Sequence, residues 1–156
     1  MDYIHDLRPY IGHKKIILCC AAVVIIKDGK ILLQHRKDNN EWGIVGGLLE
    51  LDETFYEAAK RETKEETGLD IVFDSFLGIY HHYNMEWANH DKAHTVCACY
   101  LGHIASGEPR IDEESLELKF FDLDDMPHLF AEDHRQAVEA YKKGISYPIP
   151  IENPKK

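Results

Sequence analysis

Three glutamates, Glu62, Glu65 and Glu66, stand three and four residues apart in the segment GGLLELDETFYEAAKRETKEETGL, residues 46–69. Side chains at this spacing share one face of a helix. Two like charges about 4 Å apart repel by about 4 kcal/mol at an effective dielectric of about 20, so clustered carboxylates need a cation. Hard divalent ions such as Mg²⁺ and Mn²⁺ prefer carboxylate oxygens. The spacing therefore indicates a metal site.

The helix that carries these glutamates has recognisable ends in the sequence. Thr54 followed by Glu57 has the spacing of a capping box, which predicts that the helix begins at Thr54. Gly68 is a suitable residue for its end, because glycine adopts the left-handed conformation that commonly terminates helices.

A helical wheel predicts which side of this helix the glutamates occupy. At about 100° per residue, Phe55, Ala58 and Ala59 form the apolar stripe, and all three glutamates fall on the same side. Lys60 and Lys64 fall on the opposite side, which we expect to face solvent. A solvated acidic helix is the alternative, but it would place the glutamates with the lysines. We therefore predict that the carboxylates point inward and bind metal.

The composition limits the class of protein. The chain has 156 residues, of which 44% are hydrophobic and 29% charged, as in an ordinary globular domain. No apolar run is long enough to span a membrane, and residues 1–12 lack the pattern of a signal peptide, so we expect a cytoplasmic protein without a membrane partner. The net charge of −10 and the lack of a basic stripe argue against a nucleic-acid partner. An anionic substrate would then depend on bound metal.

The four cysteines, Cys19, Cys20, Cys97 and Cys99, lie in strand-like stretches. None belongs to a CxxC pair, so a structural zinc or a disulfide framework is not expected. We predict that they are small buried hydrophobic residues in a reducing compartment.

The hydrophobic pattern predicts strands on both sides of the glutamate helix. Residues 14–36 have the pattern of a β-hairpin with Asp28 and Gly29 in the turn, and its apolar first strand is expected to be buried on both faces. The residues EWGIV then lead into a loop at Gly46 and Gly47. Further strands are predicted at 71–83, at 93–105 and at ELKFFDL, residues 117–123.

A second amphipathic helix is predicted where His134, Ala137, Val138 and Tyr141 recur at i, i+3, i+4 and i+7, with Gly144 at its end. Strands and two helices in this order favour an α+β fold, in which helices pack on the faces of a mixed β-sheet.

Residues 47–69 resemble the signature of the Nudix hydrolases, in which glycine, arginine and glutamate recur at fixed positions. The hairpin, the WG pair and the late FFDLDDMP segment also resemble that family, so the resemblance covers about residues 14–143. Val45 replaces the family's usual proline, Asp52 its usual glycine and Thr63 an apolar residue, but none of these changes removes a ligand. The matching residues are Gly47, Glu53, Arg61, Glu62, Glu65, Glu66, Gly68 and Leu69.

The resemblance implies a fold and a reaction. The expected fold is the Nudix-type α/β/α sandwich, as a single domain over residues 1–156 with a short N-terminal segment and an irregular C-terminal tail. Nudix enzymes cleave a nucleoside diphosphate linked to another moiety, by attack of water at phosphorus, with Mg²⁺ or Mn²⁺ as the cofactor. The implied partner is a small-molecule nucleotide or nucleoside diphosphate derivative, and a homodimer is left open.

The resemblance also implies roles for individual residues. Arg61 would orient carboxylates through bidentate pairing, and Glu62 would serve as a metal ligand or as the base that activates water. A later acid often contributes, and we favour Glu117 over Glu113 and Glu114 because it leads into a strand; a solvated acidic loop is the alternative. The expected catalytic residues are Glu62, Glu65 and Arg61. The expected metal ligands are the Gly46 carbonyl, Glu53, Glu62, Glu65, Glu66 and Glu117.

Candidate substrate contacts lie outside the signature. Arg36 could meet a phosphate or a base, although a plain surface cation is an equal alternative. Residues 80–94 are predicted to form a polar, aromatic loop in which Tyr83 and Trp87 stack on a nucleobase. The histidines of that loop are expected to be solvated.

Two other functions compete with hydrolysis. A nucleotide-binding regulator of the same fold usually carries a DNA-binding domain and often loses the glutamates, whereas this chain keeps all of them. An enzyme similar to isopentenyl diphosphate isomerase would need a reactive cysteine. The sequence does not identify the substrate. The proline typical of ADP-ribose pyrophosphatases is missing, since the first proline after the signature is Pro109. Tyr83 gives some support for a diadenosine polyphosphate, and a MutT-like activity on nucleoside triphosphates stays open.

Overall fold

A mixed β-sheet forms the centre of the fold in the computed structural model, which describes residues 2–152. The helices are α1 (Tyr3–Ile11), α2 (Phe55–Thr67) and α3 (Glu132–Lys142). The strands are β1 (Ile16–Lys27), β2 (Lys30–Arg36), β3 (Trp42–Gly43), β4 (Val45–Leu48), β5 (Asp70–Glu86), β6 (Lys92–Ser106) and β7 (Ser115–Asp122).

The sheet is organised around β1. The strand order is β3-β2-β1-β6-β5, with β4 also paired to β1 and β7 to β2. Strand β1 runs parallel to β6 and antiparallel to β2 and β4. Asp28 and Gly29 form the turn between β1 and β2 with positive φ angles of 51° and 75°, as a type I′ hairpin turn requires.

Both faces of β1 are buried, as its apolar sequence predicts. Successive residues of a strand point to opposite faces. The odd-numbered residues of 21–25 pack with Ala58 of α2, whereas the even-numbered residues of 20–24 pack with Ala137 of α3. Helices α2 and α3 therefore cover opposite faces of the sheet, which confirms the α+β prediction of a mixed sheet flanked by helices.

The predicted ends of α2 are also confirmed. The Thr54 Oγ1 accepts a hydrogen bond from the Glu57 N–H, and the Glu57 carboxylate accepts one from the Thr54 N–H, so the capping box is complete. Gly68 ends the helix in the left-handed region with φ of 74°. The irregular tail returns to this helix, where the Glu152 carboxylate accepts N–H bonds from Phe55 and Tyr56. The last residues of the predicted tail, 153–156, lie outside the described residues.

The prediction of a long loop at residues 80–94 is wrong. Strand β5 continues to Glu86 and β6 begins at Lys92, so only residues 87–91 connect them. The register shifts between His82 and Met85, and the pairing of the two strands then resumes at Met85 and Ala93. Such bulges let backbone pairing continue through a sequence that does not alternate regularly.

Gly46 and Gly47 also lie in a strand rather than in the predicted loop. They pair with Ala22 and Ala21 of β1. A Cβ atom on Gly46 would stand 2.4 Å from the Ala21 carbonyl oxygen. Glycine is needed at Gly46 because β4 approaches β1 so closely.

The N-terminal segment, which the sequence did not predict to be helical, forms α1. Asp2 caps this helix by accepting the N–H of His5, and Arg8 makes an ion pair with Asp91 at 3.1 Å. None of the helices in residues 2–152 is long and apolar enough to cross a membrane.

Candidate active site

An open cleft of about 680 Å³ is bordered by α1, β4, α2, the 87–91 turn and the start of α3. Its volume is within the range of ligand-binding sites. Glu62 and Glu66 line it, together with Gly46 and Gly47. Two of the four signature glutamates therefore meet the β4 glycines at one concave surface.

Glu66 is the most buried of the signature glutamates, with 4% of its surface exposed. Its Oε2 accepts a hydrogen bond from the Gly46 N–H at 3.1 Å. Burial raises the pKa of Glu66 well above its ordinary value, and the negative charge of Glu62 raises it further. Within residues 2–152 Glu66 makes no ion pair, so a cation in the cleft would relieve an unfavourable charge.

Glu62 approaches the β4 backbone closely. A Cβ atom on Gly47 would stand 2.4 Å from the carboxyl carbon of Glu62, so Gly47 leaves room for this side chain. Burial raises the pKa of the Glu62 carboxyl, against the opposing effect of the neighbouring Arg61 guanidinium.

Arg61 holds three of the glutamates in place. Its Nε and Nη2 donate to the two carboxylate oxygens of Glu53 at 2.6 and 2.9 Å, and its Nη1 donates to Glu62 Oε1 at 2.7 Å. The Nη1 atom also lies 3.3 Å from Glu65 Oε2, and Nη2 donates to the Leu48 carbonyl. The hydrogen bond to Glu53 is the first cause of the raised pKa of Arg61. The guanidinium thereby ties α2 to the end of β4.

The prediction that all three helix glutamates point inward is only partly correct. Glu66 is buried and the Glu62 side chain is 16% exposed, but the Glu65 side chain is 58% exposed. The wheel explains the difference, because Glu65 stands about 80° from the centre of the apolar stripe. Glu65 therefore borders the buried face rather than belonging to it.

These carboxylates suit a hard divalent cation. Glu62 and Glu66 face the same cleft and offer only oxygen donors, which Mg²⁺ and Mn²⁺ prefer. Both have raised pKa values caused first by burial, and bound metal would favour their charged forms.

The acidic residues that follow the signature, Glu113, Glu114 and Glu117, are arranged differently from the prediction. Glu117 is exposed on β7, opposite His35 of β2, and does not line the cleft. Glu113 and Glu114 line the cleft instead. The reason is that the chain passes the cleft before β7 begins at Ser115, so an acid within that strand is carried away from it.

The predicted substrate contacts separate into two groups. Arg36 and Trp87 line the cleft, whereas Tyr83 is 54% exposed and stacks on His81 outside it. Arg36 donates to both oxygens of Asp38 at 3.0 and 2.8 Å, and its guanidinium lies 5.0 Å from the centroid of the Phe130 ring.

Sequence reasoning missed the contribution of α1 to this cleft. Tyr3 and Ile4 line it, and the Tyr3 N–H donates to Glu50 Oε2 at 2.8 Å. Asp2 as a capping residue, followed by apolar residues at Ile4, Leu7 and Ile11, was the signal that could have predicted this helix.

The prediction that all four cysteines are buried is wrong for Cys19, which is exposed, and correct for the other three. Cys20 and Cys97 line the cleft. Their pKa values are raised well above the ordinary range, so these thiols are protonated and weakly nucleophilic. This argues against cysteine chemistry of the isomerase type.

Comparison with known proteins identifies similar chains. A family model for the NUDIX domain matches residues 19–141. An ADP-ribose pyrophosphatase of Methanocaldococcus jannaschii is 36% identical over 123 residues, which cover 77% of this chain and 70% of that protein. A putative 8-oxo-dGTP diphosphatase of Bacillus subtilis is 28% identical over 124 residues, covering 79% and 78%. A crystal structure of a MutT NUDIX hydrolase from Burkholderia pseudomallei has a TM-score of 0.71 and 32% identity, covering 80% of this chain and 97% of that one.

Proposed function

The chain belongs to the Nudix family of pyrophosphohydrolases, and we propose that it hydrolyses a nucleoside diphosphate derivative with Mg²⁺ or Mn²⁺. The observation that carries this proposal is the buried Glu66 carboxylate, which faces an open cleft beside Glu62. Both carboxyl groups have raised pKa values, and within residues 2–152 Glu66 makes no ion pair, although the charge of Arg36 partly opposes the rise in its pKa. A divalent cation would supply the further positive charge that two neighbouring, largely buried carboxylates require.

Glu62 and Glu66 would hold the metal, with Glu53, Glu65 and the Gly46 carbonyl as further ligands. A bound divalent ion neutralises a diphosphate and lowers the pKa of coordinated water. Arg61 fixes the carboxylates of Glu53 and Glu62. Arg61 engages Oε1 of Glu62, which leaves Oε2 to bind the metal or, in the alternative role of Glu62 as the base, to accept a proton from the attacking water.

The substrate phosphates would lie near Arg36, and the nucleobase would lie near Trp87. Arg36 already contacts Asp38 and the face of Phe130, so its guanidinium is held rigidly at the cleft. A planar guanidinium is suited to phosphate oxygens, and the half-buried Trp87 ring offers a surface for stacking. The later acids at the cleft, Glu113 and Glu114, replace Glu117 as candidates for an additional ligand.

The substrate class that we propose is a nucleoside diphosphate linked to another group. The relatives described above act, by their names, on ADP-ribose and on 8-oxo-dGTP. These compounds share a diphosphate linkage next to a nucleoside, which is the chemistry that the cleft is proposed to recognise. Both compounds therefore belong in the first screen.

The test is a phosphate-release screen of the full chain with Mg²⁺ or Mn²⁺, and with phosphatase added where the product needs it. The panel contains nucleoside triphosphates, 8-oxo-dGTP, ADP-ribose, nucleotide sugars, dinucleotides and diadenosine polyphosphates. We expect turnover of at least one compound, and a loss of about a hundredfold or more in Glu62→Gln and Glu65→Gln.

Glu139→Gln on α3 is the matched control, because this glutamate is exposed and, within residues 2–152, its side chain forms only a surface pair with Lys142. It should retain full turnover. Unchanged turnover in both Glu62→Gln and Glu65→Gln would overturn the metal-site assignment. Unchanged turnover in Glu65→Gln alone would remove this exposed residue from the set of ligands.

A further inference from the structure

A second group of ligand atoms lies in the wall of the cleft, apart from the signature glutamates. The Sγ atoms of Cys20 and Cys97 and a carboxylate oxygen of Asp133 all lie within 4.8 Å of one another. All three residues are buried, and all three line the cleft. The fold therefore brings the group together at the border of the cleft.

The fold itself brings these residues together. Cys20 of β1 and Cys97 of β6 are direct partners in the parallel strand pair, so their side chains emerge on the same face of the sheet. Asp133 is contributed by the first turn of α3, which packs on that face. Thr95 Oγ1 donates to Asp133 Oδ2 at 3.2 Å, and the His134 N–H donates to Oδ1 at 2.9 Å. These bonds orient the carboxylate.

Among the described residues no ion pair neutralises the carboxylate of this group. Within the described residues Asp133 takes part in no ion pair, although it is only 1% exposed. The hydrogen bond to Cys97 and then burial raise the pKa of Cys20, and the charge of Asp133 adds to this effect. Buried carboxylates are normally paired or coordinate a metal, and a metal makes thiols release their protons.

We propose that Cys20, Cys97 and Asp133 form a binding site for a thiophilic divalent cation such as Zn²⁺. Thiolate sulfur selects ions of this class over Mg²⁺ and Mn²⁺. Zinc sites with three protein ligands keep the fourth position open, and the three residues proposed here all line the cleft. On binding, each thiol releases one proton to water, so the ion is held by two thiolates and one carboxylate.

The site lies in the same cleft as the glutamates and therefore has a functional consequence, which rests on the proposed function. An ion bound between β1, β6 and α3 would lie in the wall of the cleft that the nucleotide is proposed to enter. Zn²⁺ would then inhibit hydrolysis in competition with the substrate, through residues other than the Mg²⁺ ligands. The glutamate site and the thiolate site would be occupied independently.

Cd²⁺ titration of the reduced, metal-free full chain tests the site directly. Cd²⁺ bound to thiolates gives a charge-transfer absorption in the ultraviolet that oxygen ligands do not give. We expect this absorption to saturate at one ion per chain and to persist in excess Mg²⁺. Cys20→Ser and Cys97→Ser should each weaken binding by about tenfold or more, and Asp133→Asn should also weaken it.

Cys19→Ser is the matched control, because it removes the neighbouring exposed thiol and leaves the cluster intact. It should bind Cd²⁺ like the unmodified chain. Cys99→Ser is a second control: its Sγ lies 3.7 Å from that of Cys97, but it does not belong to the cluster. Circular dichroism checks that each variant is folded. If a serine variant unfolds, Asp133→Asn still tests the site, because asparagine has the size of the aspartate that it replaces.

The proposal would be overturned by a chain that gives no thiolate absorption with stoichiometric Cd²⁺, or by equal loss of absorption in Cys19→Ser and Cys20→Ser. Glu65→Gln separates this result from the proposed function. That variant should keep full Cd²⁺ absorption while it loses hydrolysis. Loss of hydrolysis and of Cd²⁺ binding together would show that the two sites are not independent.

Discussion

Arg61 and Glu53 form a two-point contact in which Nε and Nη2 of the guanidinium donate to both carboxylate oxygens, at 2.6 and 2.9 Å. The same guanidinium donates to Glu62 and to the Leu48 carbonyl. The contact joins α2 to the segment after β4, so the relative positions of the carboxylates depend on the planar shape of one side chain.

Arg61→Lys should therefore lower turnover while the chain remains folded. A lysine keeps the positive charge but cannot make the parallel pair of hydrogen bonds. We expect kcat to fall by about tenfold or more, with a smaller change in KM, as measured by steady-state kinetics. Arg110→Lys, at an exposed arginine, is the control. Equal kinetics for Arg61→Lys and the unmodified chain would show that bidentate pairing is not needed.

Glu66→Gln should remove the stabilising effect of Mg²⁺. Millimolar Mg²⁺ is expected to raise the Tm of the unmodified chain, because an ion that binds only the folded state stabilises it. Without metal, Glu66→Gln should be at least as stable as the unmodified chain, since a neutral amide replaces a buried acid next to Glu62. Thermal unfolding with and without Mg²⁺ measures both effects. An undiminished Mg²⁺ shift in the variant would contradict the role of Glu66 as a ligand.

Alanine at Gly46 and at Gly47 should have different effects. At Gly46 the new Cβ would stand 2.4 Å from the Ala21 carbonyl oxygen, which belongs to the central strand and cannot move readily. We expect Gly46→Ala to lower the free energy of unfolding by about 1–3 kcal/mol.

At Gly47 the new Cβ would instead meet the carboxyl group of Glu62, which can rotate away. Gly47→Ala should fold with nearly unchanged stability but lose activity, because Glu62 is displaced. Denaturant unfolding and the phosphate-release assay distinguish the two variants. Full activity of Gly47→Ala would argue against the functional position of Glu62.

Asp91→Ala should release α1 from the cleft. Burial by itself would raise the pKa of Asp91, but the hydrogen bond from His13 and the charge of Arg8 bring it below the ordinary value. The Arg8 and Asp91 side chains are only 12% and 11% exposed, so the variant leaves a partly buried cation without its partner. We expect a loss of about 1–3 kcal/mol in stability and faster proteolysis within residues 2–12.

Asp74→Ala is the control for this prediction, because Asp74 pairs with His103 on the exposed edge. Exposed pairs contribute about 0–1 kcal/mol, so its stability should change little. Equal resistance of Asp91→Ala and the unmodified chain to proteolysis would show that α1 is held by other contacts.

The sequence by itself determined the features that depend on neighbours along the chain. The capping box at Thr54, the end of α2 at Gly68 and the Asp28-Gly29 turn were predicted correctly, since each depends on residues within a few positions. The two buried faces of β1 followed from its continuous apolar run. The signature over residues 47–69 likewise indicated the family without any structure.

Tertiary structure alone decided which distant side chains meet. It placed Glu66 in the interior and Glu65 at its edge, and it brought Glu114 rather than Glu117 to the cleft. It also joined Cys20 to Asp133 across more than a hundred residues. Spacing along a helix or strand fixes the face that a residue occupies, but strand register and helix packing determine what that face contacts, and no local pattern encodes either of them.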